Sequence, residues 1–258
     1  MSGFRLVAIL CALVGLVLGV APTGILAQQG IETRTLLDEQ LEQLPGGPVC
    51  WDARRGSLAP GSSSPATGYH VHGWVVAYII EGIERFEYED GRTGEVGPGQ
   101  AILFEADVPH RHASIGEVAR SNVGFELTCE PQPNAIGNTG ALPGIHEQPT
   151  AYQIQVRERT WQPGAQTPVH LLSGPTATLV LEGSIGRNTA SGGVQCSGPG
   201  ELYVSPVGEL AQNTSAGPAP ARTLDIDLWP AGEVRSQPQP AEIRLPTPYV
   251  EGACPEGR

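Results

Sequence analysis

Ile79-Ile80-Glu81-Gly82 recurs as Val180-Leu181-Glu182-Gly183, 101 residues further along the chain. The same offset carries Gly97-Pro98-Gly99 onto Gly198-Pro199-Gly200. It also carries the alternating Val123, Phe125 and Leu127 onto Leu224, Ile226 and Leu228. Three motifs sharing one offset, with no gap over roughly 50 positions, read as two copies of one fold. Within each copy, Trp74–Ile80 is an apolar run of strand length closed by a Glu-Gly turn, and Ile83–Tyr88 continues beyond it. Ala101–Phe104 and its counterpart Glu201–Val204 follow Gly-Pro-Gly turns. Val123–Leu127 and Leu224–Leu228 alternate with period two, the latter turning Asp225 and Asp227 to the opposite face.

Composition agrees with a strand-rich chain. Among 258 residues there are 34 glycines and 24 prolines, about 22% against a usual ~12%, which disfavours an all-α fold. The predicted class is therefore all-β, two tandem barrels or sandwiches of short strands. Thr35–Leu44 alone has a pattern compatible with a short helix. A net charge of -12 repels phosphate backbones and argues against nucleic acid as a partner. All fifteen basic residues are arginine, which excludes a Schiff-base or P-loop lysine. No GxGxxG, GxSxG or CxxC motif occurs.

Arg5 followed by the apolar run Leu6–Ala21, with Ala27 as the small residue for cleavage, has the form of a secretory signal. An uncleaved N-terminal anchor is the alternative; no other stretch could span a bilayer. The expected organisation is a signal peptide over 1–27, a first domain over 28–130 and a Pro/Gly/Asn-rich linker over 131–148. A second domain over 149–235 and a proline-rich tail over 236–258 complete it. Export places Cys50, Cys129, Cys196 and Cys254 in an oxidising compartment, where one or two disulfides are expected; three pairings are open.

Four of six histidines fall in the first copy: His70, His72, His110 and His112. His70-Val71-His72 places two rings on one strand face, a spacing that grips a metal from one side, and His110 can approach from a neighbouring strand. Imidazole suits Fe, Mn, Cu, Ni and Zn, so the spacing implies a divalent transition metal without naming it. His112 shares the face of His110 if the strand stays regular and is a candidate fourth ligand, with a rim hydrogen bond as the plainer reading. Trp74 and Tyr78 share the parity of His72 if the strand is unbroken, making them candidates to line a substrate pocket, with core packing as the plainer reading. Glu81 and Glu182 read as solvated turn residues, Glu105 and Asp107 as exposed loop residues near His110, and His146 as a bystander.

These residues resemble the cupin superfamily, whose motifs run G(X)5HXH(X)3,4E(X)6G and G(X)5PXG(X)2H(X)3N. His70-Val71-His72 with Ile80-Glu81-Gly82 is similar to the first. Pro98-Gly99-Gln100 and Val108-Pro109-His110 are similar to the second, with the family's Gly-to-His spacing kept between Gly99 and His110. The resemblance covers about 200 residues. With the duplication it implies two double-stranded β-helix (jelly-roll) barrels and a metal held by His70, His72 and His110 in the first. Where the family places a glutamate ligand this chain has Val75 or Ala77, so the implied site is histidine-only. In the second copy His170 remains, but Leu172, Ala211 and Asn213 stand at the other histidine positions, and Glu209 fits the ligand place only if a turn were two residues shorter. That copy reads as degenerate and structural. The implied function is a secreted, metal-dependent, dioxygenase-like enzyme on a small organic substrate, with a homodimer open. A non-catalytic extracellular small-molecule or sugar-binding protein is the competing reading.

Overall fold

The computed structural model describes residues 30–130, 134–142, 145, 151–240, 243, 245 and 254. The proposed signal peptide and His146 lie outside them. The chain runs through β1 (Ile31–Leu41), β2 (Trp51–Leu58), β3 (Ser63–Ser64), β4 (Val75–Glu81), β5 (Ile83–Tyr88), β6 (Thr93–Val96) and β7 (Ala101–Phe104). It continues through β8 (His110–Ile115), β9 (Arg120–Leu127), β10 (Ala135–Asn138), β11 (Tyr152–Trp161), β12 (His170–Leu172) and β13 (Thr176–Glu182). The last elements are β14 (Ile185–Thr189), β15 (Val194–Ser197), β16 (Leu202–Ser205), β17 (Leu210–Ser215), β18 (Ala221–Pro230) and β19 (Ser236–Pro238). No helix among the described residues is long and apolar enough to cross a membrane.

Four antiparallel sheets form two barrels of one plan. Barrel one pairs the sheet β10-β2-β9-β4-β7 with β3-β8-β5-β6; barrel two pairs β1-β11-β18-β13-β16 with β15-β14-β17-β12-β19. The repeated motifs are repeated turns. A register shift falls between Ile79 and Glu81 in barrel one and between Val180 and Glu182 in barrel two. Just beyond it, Gly82 and Gly183 adopt φ of 74° and 70°. A Cβ on either would meet backbone at 2.7 Å, so only glycine closes this turn. Gly99 N–H donates to Ile79 O, and Gly200 N–H to Val180 O, each at 2.8 Å. Gln100 and Glu201 accept from Gly97 N–H and Gly198 N–H through their side chains at 2.7 and 2.8 Å.

The largest apolar cluster lies between the barrels. Trp51, Val76, Tyr78, Val123 and Phe125 from one five-stranded sheet pack with Ile154, Val156, Leu179, Leu224 and Ile226 from the other. Polar side chains rim this contact: Glu158 receives Arg34 at 2.5 Å and Arg222 at 2.7 Å, and Tyr78 Oη lies 3.4 Å from Glu158.

Residues 35–41 are strand, not helix. β1 pairs with β11 from Ile31↔Trp161 to Leu41↔Tyr152, absorbing one irregularity between Thr35 and Leu37. The backbone groups of β11 that β18 leaves free are satisfied by β1, a tertiary gain that overrides weak helical patterning. β1 therefore belongs to barrel two although it precedes barrel one in the chain. Of the three possible cystine pairings the structure has Cys50–Cys129 and Cys196–Cys254. The first joins the start of β2 to the end of β9; the second ties β15 to the tail.

The interior of barrel two is polar but closed on itself. Asp227, 1% exposed, accepts from Arg157 at 2.5 Å and Thr176 at 2.6 Å and pairs with Arg235 at 3.2 Å. Asp225 accepts from Thr178 at 2.9 Å and pairs with Arg159 at 2.9 Å. Burial alone would raise the pKa of Asp227, but the guanidinium groups of Arg157 and Arg235 hold it at about 2. Removing one partner leaves an uncompensated buried charge. Asp227→Ala is therefore expected to cost roughly 3–5 kcal/mol, measured by denaturant unfolding against the unchanged chain.

Candidate metal centre

His70 and His110 face each other across a two-way backbone bridge: His70 N–H donates to His110 O at 2.9 Å, and His110 N–H to His70 O at 3.0 Å. Asp107 N–H donates to His72 O at 2.9 Å from a backbone at φ 58°, a left-handed conformation that Asp tolerates. The histidine pair is thus fastened directly to the start of β8, where His110 and His112 point to one face. One ligating atom from each of His70, His72, His110 and His112 lies within 4.8 Å of the others. The structure brings together all four histidines singled out in the first copy.

Hydrogen bonds fix which nitrogen each ring presents. A carbonyl can only accept, so His72 Nδ1–H donates to Gly73 O at 2.6 Å and His110 Nδ1–H to Val108 O at 2.7 Å. Each leaves Nε2 with its lone pair. His110 Nε2 and His70 Nδ1 are buried with no hydrogen-bond partner among the described residues. Orphaned imidazole nitrogens converging on one point are what a metal would satisfy. Phe104, 1% exposed, stacks on His110 with ring centroids 4.8 Å apart and planes 10° apart.

Burial keeps these rings neutral. Desolvation first, then repulsion from neighbouring imidazoles, lowers the pKa of His70 to about 4. His72 is lowered to about 4, again mainly by desolvation, and His110 is lowered for the same reason. A neutral imidazole is the form that ligates a metal.

His70, His72 and His112 border a cavity of about 480 Å³ that is also lined by Arg54, Glu84, Arg120, Asn122 and Glu126. Val75 and Ala77 line it too, so the places where a carboxylate ligand would stand do face the site and offer no donor. Arg54 is paired with Glu126. Glu84, also 1% exposed, pairs with His112 Nδ1 at 2.9 Å and Arg120 Nε at 2.8 Å.

Two expectations are corrected. Tyr78 lies in the contact between the barrels, and Trp74 packs partly against the same cluster. Neither lines the histidine cavity. The period-two count from His72 fails because residues 71–74 are not strand; β4 begins at Val75, and the phase is reset at Gly73. Glu81 is exposed, as a turn residue should be, and Glu105 is paired with Arg92 at 3.2 Å on the surface. The cavity residues that sequence reasoning misses are Arg54, Glu84, Arg120 and Glu126. No local pattern marks Glu84: on β5 the apolar Ile83 is exposed and the adjacent carboxylate faces inward, the reverse of what their chemistry suggests.

In barrel two His170 pairs with Ala211 as His70 pairs with His110, and Leu172 and Asn213 are buried. Ala77 and Gly124, which leave room in barrel one, correspond to Thr178 and Asp225 in the second copy. Ion pairs occupy the positions that line a cavity in barrel one.

Comparison with known proteins agrees with this architecture. Residues 55–120 match the family model of the Cupin domain. No curated protein matches the chain. Among solved structures, oxalate decarboxylase from Bacillus subtilis at pH 4.6 is similar at 14% identity and TM-score 0.53, covering 77% of this chain and 78% of that one. A formate complex of Lactobacillus farciminis oxalate decarboxylase is similar at 13% identity and TM-score 0.54, covering 81% and 84%. A third structure, at 14% identity, TM-score 0.52 and coverage of 80% and 78%, concerns the Mn(II) centres of the Bacillus enzyme. Such identities speak for the fold. Residues 55–120 thus carry a cupin domain around the histidines, and the duplicated barrels and glycine turns extend the same fold through the second copy.

Proposed function

We propose that the chain is a secreted two-barrel cupin that binds one divalent transition metal through His70, His72 and His110. On this reading it uses the adjoining cavity for metal-dependent, dioxygenase-like chemistry on a small organic substrate. The observation that carries the reading is the set of neutral imidazoles, His110 buried and His70 and His72 half-buried, presenting free nitrogens beside that cavity. Two disulfides and the Leu6–Ala21 run support export. The oxalate decarboxylase fold to which the chain is similar has Mn(II) centres, which supports a metal in a barrel of this kind.

Bound there, the metal would supply Lewis acidity and redox capacity. The protein supplies the rest. An all-imidazole set brings no negative charge, so the ion's charge is left for the substrate to meet, which suits an enolate-like oxygen donor. Arg54 and Arg120 line the same cavity and can orient such a group, although each is already partnered by a carboxylate. Phe104 walls off the inner side of His110 from water. Val75 and Ala77 leave the space that the substrate would fill.

Elemental analysis of the mature chain should find a transition metal, and His70→Ala and His110→Ala should each abolish or sharply reduce it. Metal content unchanged in both variants would defeat the proposal. Retained small-molecule binding with no metal, in a variant lacking all four histidines, would favour the non-catalytic reading.

Acidification gives a second check. His70 and His72 titrate near 4 in the fold and near 6.5 when unfolded, so the unfolded chain binds more protons between these values. Their contribution to stability is present above pH 6.5 and is lost as pH falls through about 4. The melting temperature of metal-stripped protein should fall across this window, and His72→Ala should fall less steeply. Parallel curves for the two proteins would contradict the assignment.

A further inference from the structure

Resting on the metal-binding reading above, the geometry points to His112 as a fourth ligand, held in place by the buried Glu84. We infer a four-imidazole site that favours Cu, Ni, Zn or Fe over Mn.

Three observations lead to it. First, His112 is a full member of the cluster. Its ring centroid is 5.1 Å from His70 and 4.9 Å from His110, comparable to the 4.6 Å between His70 and His110 themselves. Two nitrogens bound to one ion at ~2.1 Å stand no farther than about 4.2 Å apart. The widest separation in the cluster is 4.8 Å, so a small inward turn of the rings closes the site.

Second, His112 is oriented for the task. Its Nδ1–H meets Glu84 Oε1 at 2.9 Å, which turns Nε2 away from the carboxylate and gives it the lone pair. Arg120 Nε engages the other carboxylate oxygen at 2.8 Å, leaving Oε1 to the histidine. Glu84 stands opposite Ser114 across the β5–β8 ladder, and Phe86 opposite His112, so adjacent paired strands bring the carboxylate to the ring. A buried carboxylate one imidazole removed from a metal fixes the ring's tautomer and raises its basicity.

Third, the wall offers no competing ligand at the carboxylate positions, which are Val75 and Ala77. The carboxylate bonded to His112, Glu84, is not itself one of the grouped ligand residues. Four nitrogen donors suit Zn, Cu, Fe and Ni, whereas carboxylate donors suit Mn. Glu84 is thus a positioning residue, and His112 sets the choice of metal.

The test uses metal-stripped full-length protein titrated with Ni2+ and with Mn2+ against a chromophoric chelator. His112→Ala should weaken Ni2+ binding at least tenfold, and Glu84→Ala by about 10–100-fold. The double variant should bind no more weakly than His112→Ala alone, because Glu84 acts through that ring. Cu2+-loaded protein should show one fewer coupled nitrogen in electron paramagnetic resonance after His112→Ala. His112→Glu should shift the Ni2+-to-Mn2+ preference at least tenfold toward Mn2+. Wild-type protein that takes up neither ion would defeat the metal-binding reading itself. Wild-type protein that binds Ni2+ while His112→Ala binds it equally well overturns the inference alone. So does a Glu84→Ala loss that persists in full on the His112→Ala background, which would make Glu84 merely structural.

Discussion

The apolar contact between the two five-stranded sheets is the constraint on which the rest depends. Trp51, Tyr78, Phe125, Ile154, Leu179 and Ile226 bury their surface there. The molecule's largest core therefore sits outside either barrel, as in a sheet-on-sheet sandwich. Each barrel is then released from having to fill its own interior with apolar side chains. Barrel one keeps a smaller apolar group, Val75, Ala77, Tyr88 and Phe104, and beside it a polar cavity.

The two interiors are alternative solutions to one problem. At the position of the Arg54–Glu126 pair in barrel one, barrel two has Arg157–Asp227, since Arg54 stands opposite Gly124 as Arg157 stands opposite Asp225. Around that shared pair the copies diverge. Barrel one has small residues and histidines whose free nitrogens face a void. In barrel two Thr178 donates to Asp225, which pairs with Arg159, and Thr176 donates to Asp227. Both copies pair their buried charges internally. They differ in that barrel one also leaves the neutral imidazole nitrogens of His70 and His110 without a partner among the described residues.

Much of the architecture is legible in the sequence because duplication turns weak turn signals into strong ones. Gly82 and Gly183 are required by backbone contacts that any copy of the turn must make. The histidines are legible too, since alternate positions on β8 share a face whatever the rest of the chain does. What escapes is set by tertiary context. Thr35–Leu41 is strand because β11 has an unfilled edge, which no local pattern records. A count of alternation misplaces the face of Tyr78 because Gly73 breaks the phase between His72 and β4. Glu84 is easily overlooked because its importance lies in a ring 28 residues away.

The route of β1 has a topological consequence. From Ile31 the described chain follows the edge of one barrel, leaves to build the other, and returns, so the first unit is threaded between two pieces of the second. A cut between residues 131 and 148 would not separate two self-sufficient modules. The upstream fragment would carry off a strand it cannot use, and the downstream fragment would expose a bare edge open to pairing with a foreign chain. The duplicated gene product is, in this sense, interleaved, and its halves are obliged to mature together.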